Sequence, residues 1–188
     1  MAQQPLAERL RPQGLDDYIG QKHLVGENGV FRKFIASGSV PSFILWGPPG
    51  VGKTTLAKIV ASALDRPFYT LSAVTSGVKD VREVIEKAKN QHLFSSRSAF
   101  LFIDEIHRFS KSQQDSLLGA VEQGVVTLIG ATTENPSFEV ISPLLSRCQV
   151  YILKALEDGD LQRLLERALT VDEELQKREI EVVETGAL

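Results

Sequence analysis

The residues with the clearest chemical meaning form a glycine-rich loop between an apolar run and an amphipathic segment. The loop matches the spacing G-x-x-x-x-G-K-[ST], in which backbone N–H groups cradle phosphates at the start of a helix. An ordinary Gly/Pro turn is the alternative, but the complete motif between strand and helix patterns favours the phosphate site. We predict that the site comprises Gly47, Pro48, Pro49, Gly50, Val51, Gly52, Lys53, Thr54 and Thr55.

Two side chains of this loop have more specific expected roles. Lys53 would reach the β- and γ-phosphates of a bound nucleotide, and the Thr54 hydroxyl would bind Mg²⁺. The loop by itself predicts a phosphorylated ligand. Together with the acidic pair described next, it makes ATP and Mg²⁺ the expected ligands.

A second chemical feature is the acidic pair Asp104-Glu105, which directly follows the apolar run Ala99 to Ile103. Acids in this position lie at the carboxyl end of a strand, where open α/β sheets bind their ligands. Asp104 would hold Mg²⁺, and Glu105 would polarise a water molecule for attack on the γ-phosphate. A solvent-facing pair at a strand end is the alternative, and the upstream phosphate loop weighs against it.

Other polar residues are ambiguous by themselves. Thr132 and Thr133 end an apolar run and could contact a phosphate or simply form a turn. Arg147 could stabilise a transferring phosphoryl group or be an ordinary surface arginine. The histidines have no metal-ligand spacing, which argues against a zinc site.

Strand and helix patterns alternate along the chain. This predicts an α/β fold whose parallel sheet is covered on both faces. The expected strands are 42–46, 67–71, 99–103, 126–131 and 149–153, and the clearest helices are 54–64, 78–89 and 112–122. We place a boundary near Lys154, after which a stripe of leucines indicates the start of a helical domain that ends before it can bury its apolar face.

Composition narrows the class of protein. The chain has 188 residues, 43% of them hydrophobic, and a net charge of −3. Bulk charge gives no argument for nucleic-acid binding, and the charged face of helix 78–89 is typical of a solvated surface. A single cysteine, no secretory signal and no membrane-length apolar run favour a cytoplasmic protein.

Several segments together resemble one family. The phosphate loop, the Asp104-Glu105 pair and Ser146-Arg147-Cys148 resemble an AAA+ ATPase of the clamp-loader group. Within that group, the chain is similar to the family of bacterial replication-associated recombination protein A and the eukaryotic Werner-helicase-interacting protein. The segments that carry this similarity are 5–12, 18–24, 72–79, 107–115 and 129–139.

The resemblance implies a fold and further site residues. The fold would be a five-stranded parallel sheet in the order 5-1-4-3-2, with residues 1–153 as the nucleotide-binding domain and 154–188 as the start of a truncated helical lid. Thr133 would sense the γ-phosphate, and Arg147 would be an arginine finger acting on ATP bound by the adjacent subunit. The adenine pocket would be bordered by Arg11, Pro12, Tyr18, Ile19 and Gly20.

The resemblance also implies a biological role. Family members are DNA-dependent ATPases that act at stalled forks, DNA ends and junctions of single-stranded with duplex DNA, in replication, recombination and repair. The bacterial proteins form tetramers and associate with single-strand-binding protein, which implies a cytoplasmic, nucleoid-associated location. A clamp-loader subunit and a nucleotide-dependent scaffold that hydrolyses little ATP are the alternative functions. The truncated lid predicts that this chain alone is weakly active or inactive.

Overall fold

The computed structural model of the chain describes residues 4–92 and 97–177, except for the side chain of His92. Its strands are β1 (Phe43–Trp46), β2 (Phe68–Ser72), β3 (Ala99–Asp104), β4 (Val126–Thr132) and β5 (Gln149–Ile152). Its helices are α1 (Leu6–Arg9), α2 (Lys22–Val25), α3 (Val30–Ser37), α4 (Lys53–Ala63), α5 (Val78–His92), α6 (Lys111–Glu122), α7 (Pro136–Glu139), α8 (Ser142–Leu145), α9 (Asp158–Val171) and α10 (Glu173–Gln176), and a 3₁₀ turn covers Ile106–Arg108.

The strands form one parallel sheet in the order β2-β3-β4-β1-β5. Counted from the other side this is 5-1-4-3-2, so the expected fold class and strand order are confirmed. The inner strands β1, β3 and β4 are almost wholly apolar and buried because helices cover both of their faces.

Alternate residues of each strand pack against different helices. Ile44, Leu101 and Leu128 join the core formed with α5 and α6. Phe43 points to the opposite face, since successive strand side chains alternate, and meets Phe31 of α3 with ring centroids 5.3 Å apart. This packing fixes the strand ends, and therefore also the loops that follow them.

The chain divides into two compact units. The sheet unit is Gln21–Ala155, and the terminal unit combines Met1–Gly20 with Leu156–Leu188. Within the terminal unit Arg9 donates two hydrogen bonds to Asp172, Nε to Oδ2 at 2.7 Å and Nη2 to Oδ1 at 2.9 Å. The domain boundary after residue 153 stays a prediction, and the last part of the expected lid, residues 178–188, lies outside the described residues.

Across residues 4–92 and 97–177, no helix combines the length and the apolar character needed to cross a bilayer.

Candidate active site

The phosphate loop connects β1 to α4 in the geometry that its motif requires. Gly52, the residue before α4, has φ 96°, a left-handed conformation that glycine adopts at little cost. Gly47 is packed so closely that an added Cβ would lie 2.4 Å from the Leu153 carbonyl oxygen. The loop backbone can thus approach an anion at the amino end of an 11-residue helix.

Lys53 supplies a positive charge inside this loop. The residue is only 8% exposed, and its Nζ donates to the carbonyl oxygens of Gly47 at 2.7 Å and Pro48 at 2.8 Å. Burial lowers the pKa of Lys53, while the nearby carboxylates of Glu105 and Asp104 act in the opposite direction. A phosphate oxygen would be a stronger partner for the ammonium than either neutral carbonyl.

The acidic pair lies beside this lysine. Asp104 is the last residue of β3, and its carbonyl oxygen accepts a hydrogen bond from the Ala73 N–H at 3.0 Å. Glu105 follows with φ 54°, an unfavourable left-handed conformation for a residue with a side chain. This backbone turns Glu105 out of the strand direction, and its Oε2 is buried without a hydrogen bond from any described residue.

The end of β4 completes this edge of the sheet. The Gly47 N–H donates to the Thr132 carbonyl oxygen at 3.1 Å, so β4 ends beside the start of the phosphate loop. Thr132 is 1% exposed, whereas Thr133 is half-buried just beyond the strand. The expected γ-phosphate contact of Thr133 stays a prediction.

His107 was missed as a functional candidate by sequence reasoning. Its Nδ1 lies 3.0 Å from Thr132 Oγ1 and 3.2 Å from Glu105 Oε2. A search for metal-ligand spacing could not detect this residue, but its position two residues after Glu105 was a usable signal.

The structure places Arg147 elsewhere. Gln149, two residues later, pairs with Phe43 at the beginning of β1, whereas the phosphate loop starts beyond its end. At about 3.3 Å per residue, Phe43 and Gly47 are separated by roughly 13 Å along the strand. Arg147 therefore lies at the amino edge of the sheet, opposite the phosphate loop, and binds Glu122 there with Nη2 and Oε1 2.5 Å apart.

The residues expected around the adenine belong to the terminal unit. Tyr18 is buried, and burial raises the pKa of its hydroxyl. Gly20 has φ 82°, and an added Cβ would lie 2.7 Å from a methyl carbon of Leu156. A nucleotide contact by Arg11, Pro12, Tyr18, Ile19 or Gly20 stays a prediction.

The donor set suits a magnesium–nucleotide complex better than a metal held by protein alone. Among the described residues, no group of three or more His, Cys, Asp or Glu side chains could hold an ion. Mg²⁺ typically takes one or two protein oxygens and completes its shell with phosphate oxygens and water. Thr54 and Asp104, at the start of α4 and the end of β3, fit that partial role.

Known proteins resemble this chain in sequence over most of its length. Replication-associated recombination protein A of Escherichia coli K12 is 52% identical over 166 residues, covering 88% of this chain and 37% of the relative. ATPase WRNIP1 of Dictyostelium discoideum is 52% identical over 176 residues, covering 94% of this chain and 20% of the relative. The chain thus spans little more than a third of the bacterial relative's length.

Solved structures and a family model cover the same region. The RuvB Holliday junction branch migration motor of Thermotoga maritima has a TM-score of 0.72 and 34% identity, covering 92% of this chain and 56% of that one. The model of the ATPase family associated with various cellular activities matches residues 43–156, from β1 through the phosphate loop and acidic pair to just past β5. That match includes more than half of the chain, which therefore belongs to this ATPase family, the AAA family.

Proposed function

We propose that this chain is the ATP-hydrolysing part of an oligomeric, Mg²⁺-dependent and DNA-stimulated ATPase that acts in replication-associated recombination and repair. Family membership implies nucleotide binding, and the names of the relatives support the biological role. The observation that carries the proposal is the convergence of buried Lys53 with Asp104 and Glu105 at one edge of the sheet.

Nucleotide binding would use the loop and its lysine. The N–H groups at the start of α4 and the Lys53 ammonium would take the phosphate oxygens, and Lys53 would exchange its two carbonyl partners for them. Thr54 and Asp104 would hold Mg²⁺, directly or through water. The ion would neutralise charge on the phosphates.

Hydrolysis would depend on Glu105. Its carboxylate would accept a hydrogen bond from the attacking water and polarise it towards the γ-phosphate. The Thr133 hydroxyl, just past the end of β4, would help to orient that water or the phosphate. Lys53 would stabilise negative charge on the transferring group.

Arg147 would act between subunits. It lies at the opposite edge of the sheet from its own phosphate loop, so we assign it to the nucleotide of an adjacent copy. An exposed guanidinium suits this role because it can approach a partner surface and stabilise charge on a transferring phosphoryl group. The complete site would therefore need at least two copies, and a tetramer of the full-length protein fits this requirement.

The biological setting of the proposal follows the relatives. We propose that the full-length protein responds to forked DNA, DNA ends and junctions of single-stranded with duplex DNA, in contact with single-strand-binding protein. The name of the bacterial relative, replication-associated recombination protein A, supports action at replicating DNA. In a bacterium the protein would then act in the cytoplasm, at the nucleoid.

Steady-state ATP turnover by the full-length protein, with and without forked DNA, tests the proposal. We expect Lys53→Ala and Glu105→Gln each to lower turnover at least about 100-fold, and Glu105→Gln to keep nucleotide affinity. Lys58→Ala and Glu86→Gln are matched controls because these exposed residues lie on α4 and α5, away from the site.

Two results would contradict the proposal. Rapid turnover by Glu105→Gln would remove Glu105 as the base. Negligible turnover by the unmodified protein on every DNA would favour a nucleotide-dependent scaffold instead.

A further inference from the structure

His107 lies between two groups at the carboxyl edge of the sheet and has no role in the steps above. Its side chain is 17% exposed, and its Nδ1 lies within 3.2 Å of both Thr132 Oγ1 and Glu105 Oε2. Oε2 is buried and accepts no hydrogen bond from the described residues, an arrangement that is costly for a carboxylate. The nearby nitrogen therefore matters for where this carboxylate points.

The hydrogen bonds of Thr132 determine which atom carries the proton. Thr132 Oγ1 accepts from the Glu134 N–H at 3.0 Å and lies 3.2 Å from the Glu134 carbonyl oxygen, to which it can donate its only hydrogen. Its remaining lone pair then needs a donor, which His107 Nδ1–H provides. The opposite arrangement would leave an Nδ1 lone pair 3.2 Å from the Glu105 carboxylate, and two acceptors at that distance repel each other.

We infer that His107 is a positioning residue: its Nδ1–H donates to Thr132 Oγ1, which fixes the imidazole ring, and the positive end of this N–H dipole, 3.2 Å from Glu105 Oε2, attracts the carboxylate without a separate hydrogen bond. This inference rests on the proposed function, because it matters only if Glu105 activates the water. Thr132 is a rigid anchor, 1% exposed at the end of β4. The ring therefore connects the end of β4, one residue before Thr133, to the acid that follows β3.

The position of Glu105 explains why such a residue is needed. Its backbone is constrained at φ 54°, but the side chain has several rotatable bonds beyond the backbone. A general base must lie within hydrogen-bond reach of the water from which it takes a proton. A fixed N–H dipole 3.2 Å from Oε2 favours some orientations of the carboxylate over others, so the carboxylate spends more time in the productive one.

The test compares three variants in the full-length protein by DNA-stimulated kcat, KM for ATP and the Kd of a fluorescent ATP analogue. His107→Phe keeps a ring but has no donor at the Nδ1 position, whereas the amide of His107→Asn places a donor close to it. The third variant combines His107→Phe with Glu105→Gln. His23→Phe is the matched control, since His23 is exposed and its Nε2 contacts the Ile152 carbonyl oxygen at 2.9 Å.

We expect His107→Phe to lower kcat on the order of 10- to 100-fold without changing Kd or the melting temperature. His107→Asn should recover most of the activity. In the Glu105→Gln background, loss of His107 should cause no further decrease, because both changes remove the same function. If His107→Phe does not fold, His107→Gln, whose amide extends towards the Nε2 position, replaces it in the series.

The outcomes separate this inference from the function on which it rests. Normal kcat in His107→Phe together with collapsed turnover in Glu105→Gln would overturn the role of His107 alone. Equal loss in the Phe and Asn variants, or an additive loss in the double variant, would also overturn it. Normal turnover in Glu105→Gln would instead contradict the assignment of the base.

Discussion

The carboxyl ends and the amino ends of the strands, which form opposite edges of the sheet, hold their charged groups in different ways. At the carboxyl edge, Lys53 is 8% exposed and bonded to two backbone carbonyls, and Thr132 is 1% exposed. At the amino edge, the side chains of Arg147 and Glu122 are 39% and 47% exposed and pair with each other. Buried groups are fixed by neighbours that cannot move away, whereas exposed groups are held only by a surface contact.

This difference in exposure agrees with the two roles proposed above, one within a subunit and one between subunits. Groups that act on a nucleotide in their own subunit benefit from being held in place before it binds. A group that acts on a neighbour's nucleotide must stay accessible, and an exposed ion pair contributes only about 0–1 kcal/mol. Arg147 can therefore exchange Glu122 for another anion at little cost.

The largest expected effect concerns Arg147. Arg147→Ala should lower the turnover of the assembled full-length protein about 1,000-fold, because the guanidinium would stabilise charge on the transferring group. Nucleotide affinity should change little. Arg82→Ala is the matched control, since Arg82 is an exposed arginine on α5.

Mixing inactive variants tests whether Arg147 acts between subunits. Arg147→Ala and Lys53→Ala are each expected to be inactive, but a mixed oligomer can pair an intact phosphate loop with an intact arginine. Recovery of ATP turnover on mixing would support the assignment to a neighbouring site. Absence of recovery, with mixed assembly verified by co-purification, would contradict it.

The next prediction compares Gly47, which is closely packed at the carboxyl edge, with Gly119, which lies on α6 near Glu122 and has free space around it. Gly47→Ala should lower the free energy of unfolding by about 2–3 kcal/mol, because its Cβ would lie 2.4 Å from the Leu153 carbonyl oxygen. Gly119→Ala, on α6 with nothing within 4 Å of its Cβ, should instead raise stability by about 0.5–1 kcal/mol. Urea unfolding of both variants measures the difference, and equal effects would contradict the packing described here.

The smallest effects compare the partly buried pair Arg9–Asp172 with the exposed pair Arg147–Glu122. The hydrogen bonds from Arg9 hold the pKa of Asp172 at about 2, below its ordinary value of 3.8, although burial acts against them. A lowered folded-state pKa means that the ionised form stabilises the fold above about pH 4, and that this contribution is lost as pH falls towards 2.

Urea unfolding across pH 2–5 tests this contrast. The difference in stability between the unmodified protein and Asp172→Asn should be constant above about pH 4 and decrease below it. Glu122→Gln, at the exposed pair, should change the free energy of unfolding by less than about 1 kcal/mol. A larger loss at Glu122 would show that the amino-edge pair is more strongly held than its exposure indicates.

Much of the fold and several site residues could be predicted because their signals are local. Buried parallel strands are continuous apolar runs, so β3 and β4 were identified to within one residue at their carboxyl ends. The structure extends both strands to include Asp104 and Thr132, whose backbone groups still join the sheet although their side chains are polar. The phosphate loop was recognisable because its function requires fixed residue types at fixed spacing.

Other features could not be predicted because they depend on contacts between distant residues. His107 meets Thr132, 25 residues further along the chain, at the edge shared by β3 and β4. Arg9 meets Asp172 across 163 residues, which joins α1 to the segment between α9 and α10. Hydrophobic periodicity reports the faces of one element and contains no information about such pairs.

The sequence by itself determined the phosphate loop, the acidic pair and the alternation of strands and helices, because each depends on neighbouring residues and local backbone preferences. Only the tertiary structure decided which groups share an edge of the sheet. Strand register places Lys53, Glu105 and His107 at one edge and Arg147 at the other. Register arises from packing the whole sheet between its helices, so it separates the residues proposed to act within a subunit from the one proposed to act on its neighbour.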